Sequence, residues 1–179
     1  AEYAEAVFVT LMSKTSHWDA GIRSLAAKAL ASIFDLVSEQ ILTTAVPQWL
    51  EAARARAVSI RHGALLALGH VLHAAAVDGL DGACDVSALV ALIPEYDAAR
   101  KFKGVAGVLT RKGMLELVSL VSSAGLALSD DDRAIVLEFV LASFRAPEAV
   151  EDAKAALSAF GQVHLMAEDG ELSLARVAE

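Results

Sequence analysis

Residues 22–34, IRSLAAKALASIF, and residues 60–72, IRHGALLALGHVL, read as one helix written twice. At a constant offset of 38 residues, Ile22 falls on Ile60, Arg23 on Arg61, Ala26 on Ala64, Ala29 on Ala67 and Leu30 on Leu68. Ile33 and Phe34 then fall on Val71 and Leu72. Residues spaced at three, four, seven and eight share one face of an α-helix, so the repeat preserves a stripe and not merely a composition. The small residues on that stripe (Ala26, Ala29, Gly63, Ala64, Ala67) let neighbouring helices approach, and Leu, Ile and Phe between them fill the core.

Working outward, TRKGMLELVSLV (110–121) aligns with the second copy at an offset of 50, placing Arg111 under Arg61 and Gly113 under Gly63. The loop VDGLDGACD (77–85) absorbs the extra length. A fourth, fainter stripe runs through Ala153, Ala156, Leu157 and Phe160. The segments ahead of each copy, Glu2 to Ser13, Thr43 to Ala55, Val86 to Phe102 and Asp130 to Phe144, read as partner helices. Ser129 is the expected N-cap of the last of these, with Asp130, Asp131 and Asp132 in its first turn. Pro147 is expected in the first turn of the last helix, and Pro94 is expected to kink or split its helix.

The composition agrees. Pro occurs only three times and the chain is rich in Ala and Leu, so the class is all-α. Helix pairs at about 40 residues per unit are the period of HEAT and armadillo repeats. The expected architecture is an α-α superhelix of about four helix pairs, with repeats at 1–38, 39–77, 86–123 and 129–167, and 168–179 as a tail or the start of another repeat. Each pair buries its face only against its neighbours, which generates a concave scaffold surface. The mean hydropathy of +0.50 is high. We read it as repeat faces left uncovered at the two ends, with self-association as the consequence, and the chain as a segment of something longer.

The same numbers limit function. The longest weakly polar stretch, Ala64 to Val77, is shorter than the roughly 20 residues of a membrane span and contains His70 and His73. No membrane partner is therefore expected. A net charge of −8 argues against a general nucleic-acid binder. One cysteine, Cys84, forms no disulfide within the chain and fits a reducing, cytoplasmic setting.

Three ordered blocks resemble a known family. HWDAGIRSLAAKALASI supplies His17, Trp18, Asp19, Ile22, Arg23, Leu25, Ala26, Ala27, Ala29 and Leu30. VPQWL and IRHGALLALGHVL follow with Pro47, Leu50, Arg61, His62, Gly63, Leu66 and Ala67. KFKGVAGVLTRKGMLELV supplies Lys103, Gly104, Gly107, Leu109 and Arg111. In order and spacing these resemble the C-terminal half of tubulin-folding cofactor D, over residues 14 to 122. The match departs at Ala106, which stands for a glycine, and at the short proline-containing helix after Val86. The resemblance implies a non-enzymatic scaffold without cofactors. Its implied partners are β-tubulin, tubulin-folding cofactors C and E and an Arf-like GTPase, acting on the αβ-tubulin heterodimer.

Candidate residues follow. An Asp–Arg ladder between repeats is expected to join Asp19 to Arg61. His62, His70 and His73 share a helix, but with no converging acidic or thiol ligands they read as hydrogen-bonded core histidines and not as a metal site. Trp18 is expected to pack into the inter-helix turn with its N–H on a carbonyl. The basic run Arg100, Lys101, Lys103, Arg111 and Lys112 is the candidate partner surface, five of the chain's fifteen cations. Gly104 and Gly107 make no phosphate loop, because no strand precedes them and no GKS or GKT follows. Two other functions compete: a HEAT adaptor of the transport or phosphatase-regulatory type, and a helical hydrolase built on His17, Asp19 or His62.

Overall fold

Asp19 sets where the first long stripe becomes a helix. Its backbone is extended and its carboxylate accepts the Ile22 N–H at 3.1 Å, closing the open end of helix α2 (Ala20–Ser32). Ser129 does the same for α9 (Asp130–Ser143), with three aspartates in the first turn where the helix dipole favours them. The computed structural model of this chain describes residues 2–80 and 85–165. Every regular element among them is helical. Cys84 and residues 168–179 lie outside the described residues.

In chain order the remaining elements are α1 (Glu2–Lys14), α3 (Phe34–Gln40), α4 (Val46–Ala52), α5 (Val58–Val77), α6 (Val86–Val90), α7 (Leu92–Ala98), α8 (Gly104–Ser123) and α10 (Val150–Phe160). Four of the helices, α2, α5, α8 and α10, pack side by side in that order. Bonds between their matching ends show that the first three run parallel: Arg23 to His62 and Arg61 to Thr110 near the N-termini, His70 to Glu116 further along. The other helices form a second layer, with α1 and α4 packed on α2 and α5, and α6 and α7 packed on α9.

Sequence periodicity placed the row correctly but slipped at its joints. No loop separates α2 from the next helix, which begins at Phe34. The chain turns by 94° at Ile33 and continues to Ala52. Pro47 has no N–H to donate, and just upstream the ladder widens into a π-turn over Ile41–Ala45, where Val46 N–H reaches Ile41 O. Pro94 splits its segment as expected. Its ring would clash with the Val90 carbonyl, and the helix breaks at Ala91.

The third stripe is corrected by one helical turn. Both ends of α8 match both ends of α5 at 46 residues, the spacing that joins His70 to Glu116, with Val58 on Gly104 and Val77 on Ser123. The glycines that follow, Gly79 and Gly125, also correspond, at φ 75° and 71°. An alignment displaced by four residues lands on the same helical face, which is why an offset of 50 looked equally periodic.

α5 is the central helix. At 20 residues it is long and apolar enough to span a bilayer, yet 67% of that stretch is buried inside the fold. Leu65, Leu68 and Val71 are fully enclosed. Its apolarity on all sides is that of a helix wrapped by neighbours.

Candidate functional site

The HWD and RHG triplets, whose first members are His17 and Arg61, meet at one junction between α1, α2 and α5. Arg23 lies 1% exposed at its centre. Its Nη1 donates to the carbonyls of His17 (2.7 Å) and Trp18 (2.9 Å), closing the turn that precedes its own helix. Its Nε donates to His62 Nδ1 at 3.1 Å, reaching the next helix of the row. Burial and the Arg23 charge together hold the His62 imidazolium down to about 4, so the ring is neutral and can accept. His17 Nδ1 accepts the Asp19 N–H.

Gly63 completes the interlock. A Cβ at that position would overlap the Thr15 carbonyl, a backbone atom that cannot give way. The RHG triplet therefore reads residue by residue. Arg61 closes its own turn, His62 receives the preceding arginine, and Gly63 lets the preceding corner touch the helix.

Arg61 repeats the pattern one unit on. Nη1 donates to Ala55 O (2.8 Å) and Arg56 O (3.1 Å), while Nε and Nη2 reach Thr110 Oγ1 at 3.2 and 3.0 Å. The expected Asp19–Arg61 ladder is thus replaced. Asp19 caps α2, and Arg61 bonds carbonyls and a hydroxyl. Tyr96, buried below Arg61, donates to the Ala53 carbonyl and ties α7 to the same corner. Its hydroxyl is held well above the ordinary tyrosine range by burial.

Arg111 departs from the two earlier arginines. It sits two turns inside α8, one turn beyond the position matching Arg61, so no helix-start turn lies within its reach. Its guanidinium lies against the Phe102 and Phe139 rings at 5.0 and 5.8 Å and donates to Ser143 Oγ at 3.0 Å. Trp18 is also corrected. Its side chain is 81% exposed, beside the His17 ring at 5.4 Å. Arg23 takes the carbonyls of that turn, so the arginine anchors it and the indole is left facing out.

The five candidate partner-binding cations separate into two groups. Arg100 and Lys103 are exposed. Lys101 Nζ donates to Arg54 O at 2.9 Å and stands 5.0 Å from the Tyr96 ring. Lys112 pairs with Asp152 at 3.4 Å, and Arg111 is engaged as above. His62 and His70 are the hydrogen-bonded histidines the sequence suggested. His70 Nε2 meets Glu116 Oε1 at 3.0 Å, a partner invisible to helical spacing because it lies on α8. Among the described residues no three His, Cys, Asp or Glu side chains converge as a metal site would require.

No family model matches this chain, and no solved structure matches it.

Proposed function

We propose that the chain is a HEAT-like α-α superhelix of about four helix pairs that acts as a protein-interaction scaffold of the tubulin-folding cofactor D kind. On this reading it is a cytoplasmic, non-enzymatic segment that engages β-tubulin. It works with cofactors C and E and an Arf-like GTPase to assemble or take apart the αβ-tubulin heterodimer, the nucleotide chemistry belonging to those partners.

One observation carries the reading. The two triplets on which the resemblance rests, HWD and RHG, close on each other through Arg23, His62 and Gly63, and the arginine bond pattern recurs at Arg61. That both triplets take part in one junction gives them a shared structural role, which supports the reading. Side-by-side packing of α2, α5, α8 and α10 supports the superhelix. Such an array offers extended edges and faces on which a protein partner could dock.

The test is a fluorescence-anisotropy titration of the labelled chain with αβ-tubulin at low and moderate salt. Saturable, salt-weakened binding is expected. Absence of binding at both salts would sink the claim that this segment carries a tubulin surface.

A further inference from the structure

The parallel helices α2, α5 and α8 all begin along one edge of the molecule, and the turns leading into that row carry a charge opposite to the protein's net charge. Lys14, Arg56, Arg100 and Lys103 stand in or beside those turns, all exposed and none ion-paired among the described residues, and they outnumber the flanking acids Asp19, which caps α2, and Asp97. Contacts make them neighbours: Lys101 reaches from the third turn to the Arg54 carbonyl in the second, and Thr15 of the first touches Gly63. The turns at the other ends of these helices carry exposed Asp35, Asp78, Asp130 and Asp131. There, too, successive turns approach, since the facing Asp35 carboxylate, accepting from the Asp78 carboxyl, raises it. A chain of net charge −8 therefore has one positive edge, and the dipoles of three helix N-termini reinforce it.

Two further features lie on this edge. Trp18 projects from the first turn at 81% exposure, a placement that leaves a large apolar ring in water. Arg100 occupies a left-handed backbone position at φ 54°, closing α7 with the bonds Lys101 N–H to Tyr96 O and Arg100 N–H to Asp97 O. The matching positions after α5 and α8 are Gly79 and Gly125, which adopt that conformation without strain. A strained arginine where glycine serves elsewhere points to a use for the charge.

We infer that this turn edge is a docking surface for an acidic polypeptide, with the cations facing its carboxylates and Trp18 entering an apolar recess in it. The inference deepens the scaffold reading and rests on it. It also moves the partner surface from the helix run of Arg111 and Lys112 to the turns. A protein partner is favoured over a nucleic acid because the opposite edge is acidic and a single indole gives no row for stacking bases.

The experiment titrates the chain with a polyglutamate peptide, with αβ-tubulin and with a short single-stranded RNA. It compares the double charge reversal Arg56→Glu/Lys103→Glu with Lys28→Glu/Lys154→Glu, which makes the same charge change elsewhere, and includes Trp18→Ala. All are surface positions, and melting curves check the fold of each variant. The expected result is that the edge reversal weakens polyglutamate and tubulin binding at least about tenfold while the control reversal changes it little. Trp18→Ala should weaken tubulin but not polyglutamate. Polyglutamate binding that responds to the edge reversal, with no tubulin binding, would keep the edge and remove the tubulin reading. Tubulin binding indifferent to the edge variants would overturn the edge and keep that reading. No binding of either, or RNA binding as tight as that of polyglutamate, would overturn the inference.

Discussion

Arg23 Nε donates to His62 Nδ1 across 3.1 Å, and this bond requires a neutral imidazole. Below the ordinary histidine range the unfolded chain takes up a proton that the folded chain refuses, because His62 in the fold titrates only near pH 4. More protons bound when unfolded means stability rises with pH. The contribution is thus complete above about pH 6.5, lost as the pH falls towards about 4, and level below that. A difference of this size corresponds to roughly 3 kcal/mol. Urea midpoints measured across this window should fall accordingly. His62→Asn, which keeps an acceptor for Arg23, should flatten the slope. Glu116 works in the opposite part of the scale. Its carboxyl is held low chiefly by the hydrogen bond to His70, so its contribution is lost only at more acid pH.

Arg23 and Arg61 should be far more costly to remove than Arg111. Each of the first two satisfies a pair of turn carbonyls and a group on the next helix. Replacing either with Met leaves those buried groups without donors, and a loss of about 3 kcal/mol or more is expected from denaturant titration. Arg23→Lys should not restore it, since one ammonium cannot span both the carbonyls and His62 as the planar guanidinium does. Arg111→Met, with one hydrogen bond and two ring contacts at stake, should cost only about 1 kcal/mol. Equal losses at all three positions would contradict the distinction drawn from their bonding.

These arginines mark what the sequence could and could not disclose. Periodicity reports which residues share a helical face, so the stripes of α2 and α5 and their spacing were legible, as were the Asp130 cap region and the break near Pro94. Periodicity is blind to a shift of one whole turn, so Arg111 was placed on the wrong turn of α8. Charge complementarity suggested Asp19 for Arg61, but a short carboxylate beside a helix start is better used on its own backbone N–H. Thr110, Tyr96, Ser143 and Glu116, which complete the junctions, carry no pattern of their own. They are ordinary residues made specific by what packs against them. The 94° turn at Ile33 has neither Gly nor Pro to announce it.

Gly63 should tolerate no side chain. An added Cβ meets the Thr15 carbonyl, and relief would require separating the α1–α2 corner from α5, undoing the Arg23–His62 bond as well. Gly63→Ala is expected to destabilise by more than about 3 kcal/mol, or to prevent folding, despite the higher helix propensity of alanine. Gly161→Ala is the control, since nothing lies within 4 Å of a Cβ there. It should be neutral or stabilising. A stable Gly63→Ala protein, judged by its melting curve, would mean the two corners do not meet as described.

Arg100→Gly should make the protein more stable and its turn edge less effective. The residue closes α7 in the left-handed region at φ 54°, while Gly79 and Gly125 fill the corresponding positions after α5 and α8. Strain at a non-glycine residue there is about 1 kcal/mol, and glycine removes it while keeping the closing bond to the Tyr96 carbonyl, at the expense of a more flexible unfolded chain. The net expectation is a gain of about 0.5 kcal/mol in denaturant titrations, together with weaker polyglutamate binding from the lost charge. Opposite movement of the two measurements is the signature of a residue retained for its charge. If stability fell on substitution, Arg100 would instead be holding the turn through its side chain, and the strain argument for a docking edge would fail.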